Sequence, residues 1–568
     1  MTGIWYAVQT YNKRVSSLRQ FAETCEAVAA TAKKTEKVQL LAAYLKSLSI
    51  DDAARAAVFF TGRPFSRIEE RTLLVGGSLL WQAVTTMTGA GAAQAQAVYQ
   101  RHGDLGAMAE DLLAGKDARE ELSLRDLEAC FDTLQTRRGP TQKLPVIEEL
   151  LRRAQALETK YIIKIITGDL RIGLRESLVE EAIARAFDRP LGAVQRANML
   201  VGDIAATLRL AAGDKLGEAR LRLFHPIAFM LASPSETAAE AMEYFPAGAQ
   251  VEDKSDGIRA QAHKGFRDGE AAVKIFSRTL DPITEFPELF APLAALPGEF
   301  ILDGEILAWE NGRALPFTEL QQRLGRKQTD LLFPHPVPVS YFVFDILYAD
   351  GNVLLDLPLR ERRGCLEALL GQVTGVAIQL SRAWTCTTPS ELQQRFTQAL
   401  ARGNEGVMAK APDSPYTPGR RGQNWRKLKS PMATLDVVVV AVEHGHGKRR
   451  GVLSDYTFAV RTANGLATIG KAYSGLTHAE IAELTEFFKA HTLEDFGWSR
   501  RVEPLIVIEV AFNNLQRSNR HESGYALRFP RIVRLRPDKT VAEIDTLERV
   551  KELYDQQFTL ARDSSSKF

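Results

Sequence analysis

The chain is short of cysteine, of net charge and of long apolar runs, and each shortage closes a class of function. Its four cysteines, Cys25, Cys130, Cys365 and Cys386, are scattered, without the paired spacing of a zinc site or a disulfide framework. A reduced compartment is expected. The formal net charge is only +2, so a nucleic-acid partner cannot be argued from overall charge and needs local basic patches. No stretch approaches the roughly 20 apolar residues of a membrane span. The opening Met1-Thr2-Gly3-Ile4-Trp5-Tyr6 lacks a charged-then-apolar signal pattern. A cytoplasmic protein with no membrane partner is the expectation. Repeats and low-complexity blocks are absent as well.

What is there is globular: 45% hydrophobic and 25% charged residues over 568 positions, enough for two to four domains. From Phe21 to about Leu221 apolar residues recur at helical spacing, as in Lys37–Lys46 and Leu178–Phe187, which predicts an all-α domain. Within it, Gly168 and Gly173 interleave with Arg171 and Arg175 just before a helix. Such a loop can set backbone N–H groups and guanidinium forks against phosphates, or simply connect two helices. His225–Pro234 reads as a linker. Beyond Val251 short strands alternate with turns, at Ala272–Ser277, Glu299–Asp303 and Val339–Phe344, with helices at Arg360–Leu370 and Pro389–Arg402. After Thr434 the texture is β, at Leu435–Val442, Tyr456–Val460, Ala467–Gly470 and Leu505–Val510. One helix, about Thr477–His491, interrupts it, which suits a small OB-type barrel. The Ser-rich end after Asp563 is expected to fray.

The chemistry centres on Lys254-Ser255-Asp256-Gly257-Ile258-Arg259. A free lysine amine titrates near ~10.4, so a nucleophilic lysine needs neighbours that take its proton or favour its neutral form. Asp256 could orient or deprotonate it, Gly257 permits a close turn, and Arg259 offers a planar fork to phosphate or sugar oxygens. The same letters also suit an ordinary surface turn. Further along, Ser277-Arg278 could hold a phosphate, and Asp303-Gly304-Glu305, ending a strand, could meet a ribose hydroxyl or Mg²⁺. Glu405-Gly406 brings a second carboxylate, and two carboxylates beside a phosphate substrate suit Mg²⁺. In a strand, Lys427 and Lys429 face one side, where they could hold an α-phosphate and favour the uncharged amine of Lys254. Singly, Asp-Gly-Glu reads as a hairpin turn and Lys-x-Lys as a solvated face. In this order they point to chemistry.

The series resembles the covalent nucleotidyltransferase superfamily, and within it the ATP-dependent DNA ligases. The matching pieces are Lys254–Arg259, Ser277-Arg278, Asp303–Glu305, Phe344-Asp345, Glu405-Gly406, Trp425–Lys429, the Arg528–Lys539 segment and the Thr167–Gly173 loop. The resemblance implies a multidomain protein: an all-α DNA-binding domain over 1–220, an α+β adenylation domain over 221–430 and a β-barrel OB-fold over 431–568. It implies nick sealing through a lysyl-AMP intermediate and a DNA-adenylate, with ATP and Mg²⁺ as cofactors and nicked duplex DNA as partner.

Carried over position by position, the resemblance makes Lys254 the nucleophile. Glu252 would contact the adenine amine and Phe344 stack on the base; Glu305 and Arg259 would lie at the ribose and phosphate side. Lys427 and Lys429 would hold the α-phosphate, and Arg420 joins the nucleotide-binding set. Glu305 and Glu405 would associate with Mg²⁺. Arg278 would meet the nick 5′-phosphate, while Gly168, Arg171, Gly173 and Arg175 would touch DNA. Arg536, Asp538 and Lys539 would approach the pyrophosphate when the barrel closes, by a hinge near Lys429-Ser430-Pro431. Thr279 replaces an asparagine common in relatives, so no role is carried onto it.

Related chemistries are the alternatives. An RNA ligase or a capping guanylyltransferase uses the same lysine, but the helical domain before Lys254 argues against both. The NAD-dependent ligases resemble chains with a four-cysteine module after the barrel, which is absent. A non-catalytic binder would explain the basic Gly445–Arg450 turn and leave Lys254, Glu305 and Glu405 unexplained. Phe487-Phe488 is similar to a sliding-clamp peptide, yet Ile481 stands at the glutamine position and the segment lies in a predicted helix. A clamp partner is therefore not supported. A stand-alone monomer is expected, from a prokaryotic source.

Overall fold

Apolar residues three and four apart build the first half of the molecule. In the helix Leu18–Ala30, Leu18, Phe21, Ala22, Cys25 and Val28 are buried on one stripe, and Ser17 caps the first turn through Arg19 N. A capping box of Ser123 and Asp126 starts Leu124–Thr136 in the same way. The computed structural model describes residues 17–563 apart from 70, 116–120, 322, 324–336, 372, 374, 431–432, 446–448 and 450. The tail after Asp563, the hinge residue Pro431 and most of the Gly445–Arg450 turn lie outside the described residues.

The chain divides into two compact units, Met1–Ile227 and Ala228–Phe568. The first is helical, with α-helices running from Leu18–Ala30 to Ile204–Ala212 around a main apolar core and a smaller cluster of Ala197, Val201 and Ala219.

The second unit opens with a five-stranded sheet. Its strands are β1 (Leu231–Ser235), β2 (Ala249–Lys254), β10 (Ala383–Cys386), β11 (Gly406–Lys410) and β12 (Arg421–Lys429), in the order β1-β12-β11-β2-β10. A second sheet has the order β4-β3-β5-β7-β8, from β3 (Ile258–Arg267), β4 (Glu270–Ser277), β5 (Phe300–Glu310), β7 (Val339–Ala349) and β8 (Asn352–Val353). The short β6 (Arg313–Ala314) pairs with β5, and β9 (Ile378–Leu380) with β7. Helices Ala238–Glu243 and Pro389–Ala401 cover one face of the first sheet over Val251, Val407, Ala409 and Leu428. Strand alternation then turns Glu252, Lys254, Lys427 and Lys429 to the opposite face.

The last third is an antiparallel sheet from β13 (Ala433–His444), β14 (Leu453–Thr462), β15 (Gly465–Ala472), β16 (Thr492–Asp495), β17 (Ser499–Val502) and β18 (Val507–Phe512). The strands β19 (Asn514–Arg517) and β20 (Tyr525–Arg528) pair with each other, and β21 (Arg531–Leu535) pairs with β18. The fold class is the expected one: helical, then α+β, then β-rich.

Three details differ from the sequence reading. The supposed linker ends in β1, a parallel edge strand on β12 where Pro234 is tolerated. Asp303-Gly304-Glu305 does not end a strand but lies inside β5. The β-rich part carries a second helix, Leu547–Asp563, whose Val550 is fully buried. Phe488 and Ile481, in the helix His478–Ala490, belong to the core.

Candidate active site

Three strands of the first sheet set the site out as a grid. Across β12, β11 and β2 the rows read Lys429–Gly406–Lys254, then Lys427–Met408–Glu252, then Trp425–Lys410–Gln250. Lys254 is the last residue of β2, and the turn Ser255-Asp256-Gly257 leads into β3. Gly257 is required there by close approach, since a Cβ would lie 2.4 Å from Leu307 Cδ2 and 2.5 Å from Ile306 O.

Lys254 Nζ donates to Glu405 Oε2 at 2.5 Å, and Lys429 Nζ reaches the same oxygen at 2.6 Å. Burial pushes the Glu405 carboxyl up, but the two ammonium groups more than reverse this and hold it below the usual range. Lys427 is shifted down, first by burial and then by Lys429, Arg421, Lys254 and the exposed Arg278. Burial and the Glu405 charge together raise Asp256, against Arg528 and Lys254. Arg528 Nη1, from β20, lies 3.4 Å from Asp256 Oδ2.

The second sheet supplies the facing wall. Arg259 and Glu305 stand opposite each other on β3 and β5. Burial raises the Glu305 carboxyl to about 7 in spite of Lys254 and Arg259. Arg259 does not offer a free fork: its Nε and Nη2 donate to Asp303 at 3.1 and 2.7 Å, and Nη1 to Met230 O at 2.7 Å. Tyr416 closes this ring, donating to Asp303 Oδ2 at 2.7 Å and accepting from Met230 N at 3.0 Å. A register shift between Asp303 and Gly304 leaves Phe344 as the extra residue of β7, a bulge that aims its ring into the cleft. The Lys410 ammonium lies 4.4 Å from that ring's centroid and 2.7 Å from Glu252 Oε2; Gln250 Nε2 holds Glu252 Oε1 at 2.7 Å.

The structure thus gathers Lys254, Glu252, Arg259, Glu305, Phe344, Glu405, Lys427 and Lys429 around one cleft, cationic at the Lys254 end and aromatic at the Trp425 end. Arg420 is exposed just before β12. Arg536, Asp538 and Lys539 are held elsewhere: Arg536 Nη1 and Lys539 Nζ donate to Asp436 at 2.7 and 2.6 Å, and Arg536 also pairs with Asp538. Asp303 and Arg528 entered the sequence reading only as members of longer motifs, and Lys410, Tyr416 and Asp436 were not singled out. Only Asp436, an acid within an apolar run, left a local signal.

Glu305 and Glu405 interact across the cleft, and among the described residues no cluster of three or more His, Cys, Asp or Glu forms. Two oxygen donors beside a phosphate site suit Mg²⁺, which keeps waters and takes few protein ligands.

In the helical unit, Gly168 and Gly173 have positive φ, and Arg175 is exposed immediately before Glu176–Ala186. Buried lysines hold the loop from behind, Lys37 Nζ donating to Ile172 O at 2.5 Å and Lys164 Nζ to Leu170 O at 3.2 Å. Arg171 Nη1 donates to Gly103 O at 2.8 Å and its Nε to Asp169 at 3.1 Å, so its guanidinium is tied within the unit. No helix among the described residues is long and apolar enough to cross a membrane.

Family comparisons agree with this arrangement. Residues 17–184 match the model of the DNA ligase N terminus, 229–429 that of the ATP dependent DNA ligase domain, and 449–539 that of the ATP dependent DNA ligase C terminal region. A "Probable DNA ligase" of Koribacter versatilis (strain Ellin345) is 53% identical over 564 residues, covering 95% of this chain and 97% of its own. The "DNA ligase" of Archaeoglobus fulgidus is 36% identical over 559 residues, covering 96% and 99%. In fold, the solved structure "Pmar-Lig_PreS3" is similar at a TM-score of 0.60 and 16% identity, over 91% of this chain and 99% of that one. With a lysine-centred cleft and likeness along nearly its whole length, the chain belongs to the ATP-dependent DNA ligase family, enzymes that seal nicks in DNA.

Proposed function

We propose that Lys254 is the nucleophile of a three-step ligation, and the observation that carries this is its position against Glu405 and beside Lys427 and Lys429. Lys254 Nζ attacks the α-phosphorus of ATP; a P–N bond forms, the α–β P–O bond breaks and pyrophosphate leaves. Glu405, already holding Nζ, takes the proton the amine loses. Lys427 and Lys429 neutralise the α-phosphate as charge builds on it. The adenylate then passes to the 5′-phosphate at a nick, and the 3′-hydroxyl displaces AMP.

The base lies at the aromatic end, with Phe344 against its face and Glu252 at its amine. Arg259 and Glu305 lie at the sugar and Arg420 within the nucleotide set. Mg²⁺ held by Glu305 and Glu405 with the substrate phosphates would add charge stabilisation. Arg278 meets the nick phosphate, and Gly168, Arg171, Gly173 and Arg175 meet duplex DNA, Arg171 by exchanging its present partners. Arg536, Asp538 and Lys539 serve the pyrophosphate after a hinge motion near Lys429 carries them, together with Asp436 on β13, towards the nucleotide. The working division is 1–220 for DNA binding, 221–430 for adenylation and 431–568 for the OB-fold, acting as a monomer.

The test is sealing of a 5′-labelled nicked duplex with Mg²⁺ and either ATP or NAD. Sealing with ATP alone, lost in Lys254→Ala, is the expected result. Sealing by that variant would overturn the assignment.

A further inference from the structure

Trp425 holds a feature that none of these roles uses. It is 1% exposed, and among the described residues Nε1 has no hydrogen-bond partner. An indole N–H can only donate, and a buried donor without an acceptor is a costly defect that asks for a reason.

Its placement gives direction. Trp425, Lys427 and Lys429 alternate along β12, so the indole stands on the cleft face, in the row of Lys410 and Gln250. Its ring meets Phe344 edge-on at 6.2 Å and Tyr416 at 5.8 Å. The Lys410 ammonium and the Arg259 guanidinium lie 4.5 and 5.7 Å from its centroid. Two cations against one π-system draw electron density from it and strengthen the N–H as a donor. The cleft is cationic at Lys254 and aromatic here, so a nucleotide with its α-phosphorus at Lys254 carries its base to this end. The in-plane acceptors of a purine are its ring nitrogens.

Resting on the reading that ATP fills this cleft, we infer that Trp425 Nε1 donates a hydrogen bond to a ring nitrogen of the adenine. Trp425 is then a nucleobase-recognition residue, distinct from the stacking Phe344 and the amine-reading Glu252. Nitrogen N1, N3 or N7 would be the acceptor, and each can be replaced by C–H in a deaza analogue.

The experiment measures lysyl-AMP formation by the full chain with ATP and with its 1-deaza, 3-deaza and 7-deaza forms, comparing the parent with Trp425→Phe. Phenylalanine keeps an aromatic ring and removes the N–H. The expected result is a rise of about tenfold in KM for ATP, the scale of one hydrogen bond, with kcat changed much less. One deaza analogue should cost the parent a similar factor and cost the variant nothing more. Additive losses with all three analogues, or an unchanged KM, would overturn the inference. If Trp425→Phe fails to fold, benzothienylalanine at 425, which keeps the bicyclic shape without the N–H, takes its place. A parent that forms no lysyl-AMP from ATP at all would instead sink the underlying assignment.

Discussion

Glu405 Oε2 lies 2.5 Å from Lys254 Nζ, and the same oxygen receives Lys429 at 2.6 Å. One carboxylate therefore orders both amines and is the nearest base to the nucleophile. Glu405→Gln removes the charge with little change of shape. Lysyl-AMP formation should fall by about 10²–10⁴-fold, the range of a lost general base, while far-UV circular dichroism stays unchanged. A rate like the parent's would contradict the role.

Arg362 and Asp345 form a fully buried pair behind Phe344, with Nε and Nη2 donating at 2.8 and 2.9 Å. Removing one partner leaves the other charge stranded. Arg362→Ala should destabilise the second unit by about 3–5 kcal/mol, read from urea unfolding. Replacing both, as Arg362→Met with Asp345→Leu, should cost less than Arg362→Ala alone.

His225 sits in the helical unit, 8% exposed, and burial lowers its imidazole to about 4, with Arg67 acting in the same direction. The folded state therefore resists protonation that the unfolded chain accepts near ~6.5. The stability that neutral His225 allows is complete above that pH, declines as pH falls towards 4 and levels off below. The stability difference between parent and His225→Phe should shrink by up to about 3 kcal/mol over this window. A flat difference would contradict it. Gly202 makes the neighbouring test: at φ 70° a Cβ would meet the His225 ring at 1.7 Å, so Gly202→Ala should lower the unit's unfolding midpoint.

Most of the candidate site was legible because its signals are short-range. Lys254, Arg259, Lys427 and Lys429 announce themselves by spacing within single strands or turns. What closes the site was not legible. Tyr416, Asp303 and Met230 form their ring through contacts between segments far apart in sequence, and nothing local marks Tyr416. Pairing of Leu231 with Arg421 likewise turned an apparent linker into a strand. Asp-Gly-Glu read as a strand end because Asp-Gly favours turns. In the fold, Gly304 is where Tyr341 packs, a Cβ there falling 2.6 Å from its ring. The helix Leu547–Asp563 was missed although Leu547, Val550, Leu553 and Tyr554 share a face, because most of the residues between them are charged or polar.

The central claim is that Lys254 carries AMP covalently. The direct measurement is incubation of the full chain with Mg²⁺ and α-labelled ATP, α-labelled GTP or adenylate-labelled NAD, followed by denaturation and a count of retained label. The account predicts label from ATP alone, none in Lys254→Ala, and release of the label as AMP when nicked duplex is added. Absence of label from folded protein not already adenylylated, or label that survives Lys254→Ala, would contradict it.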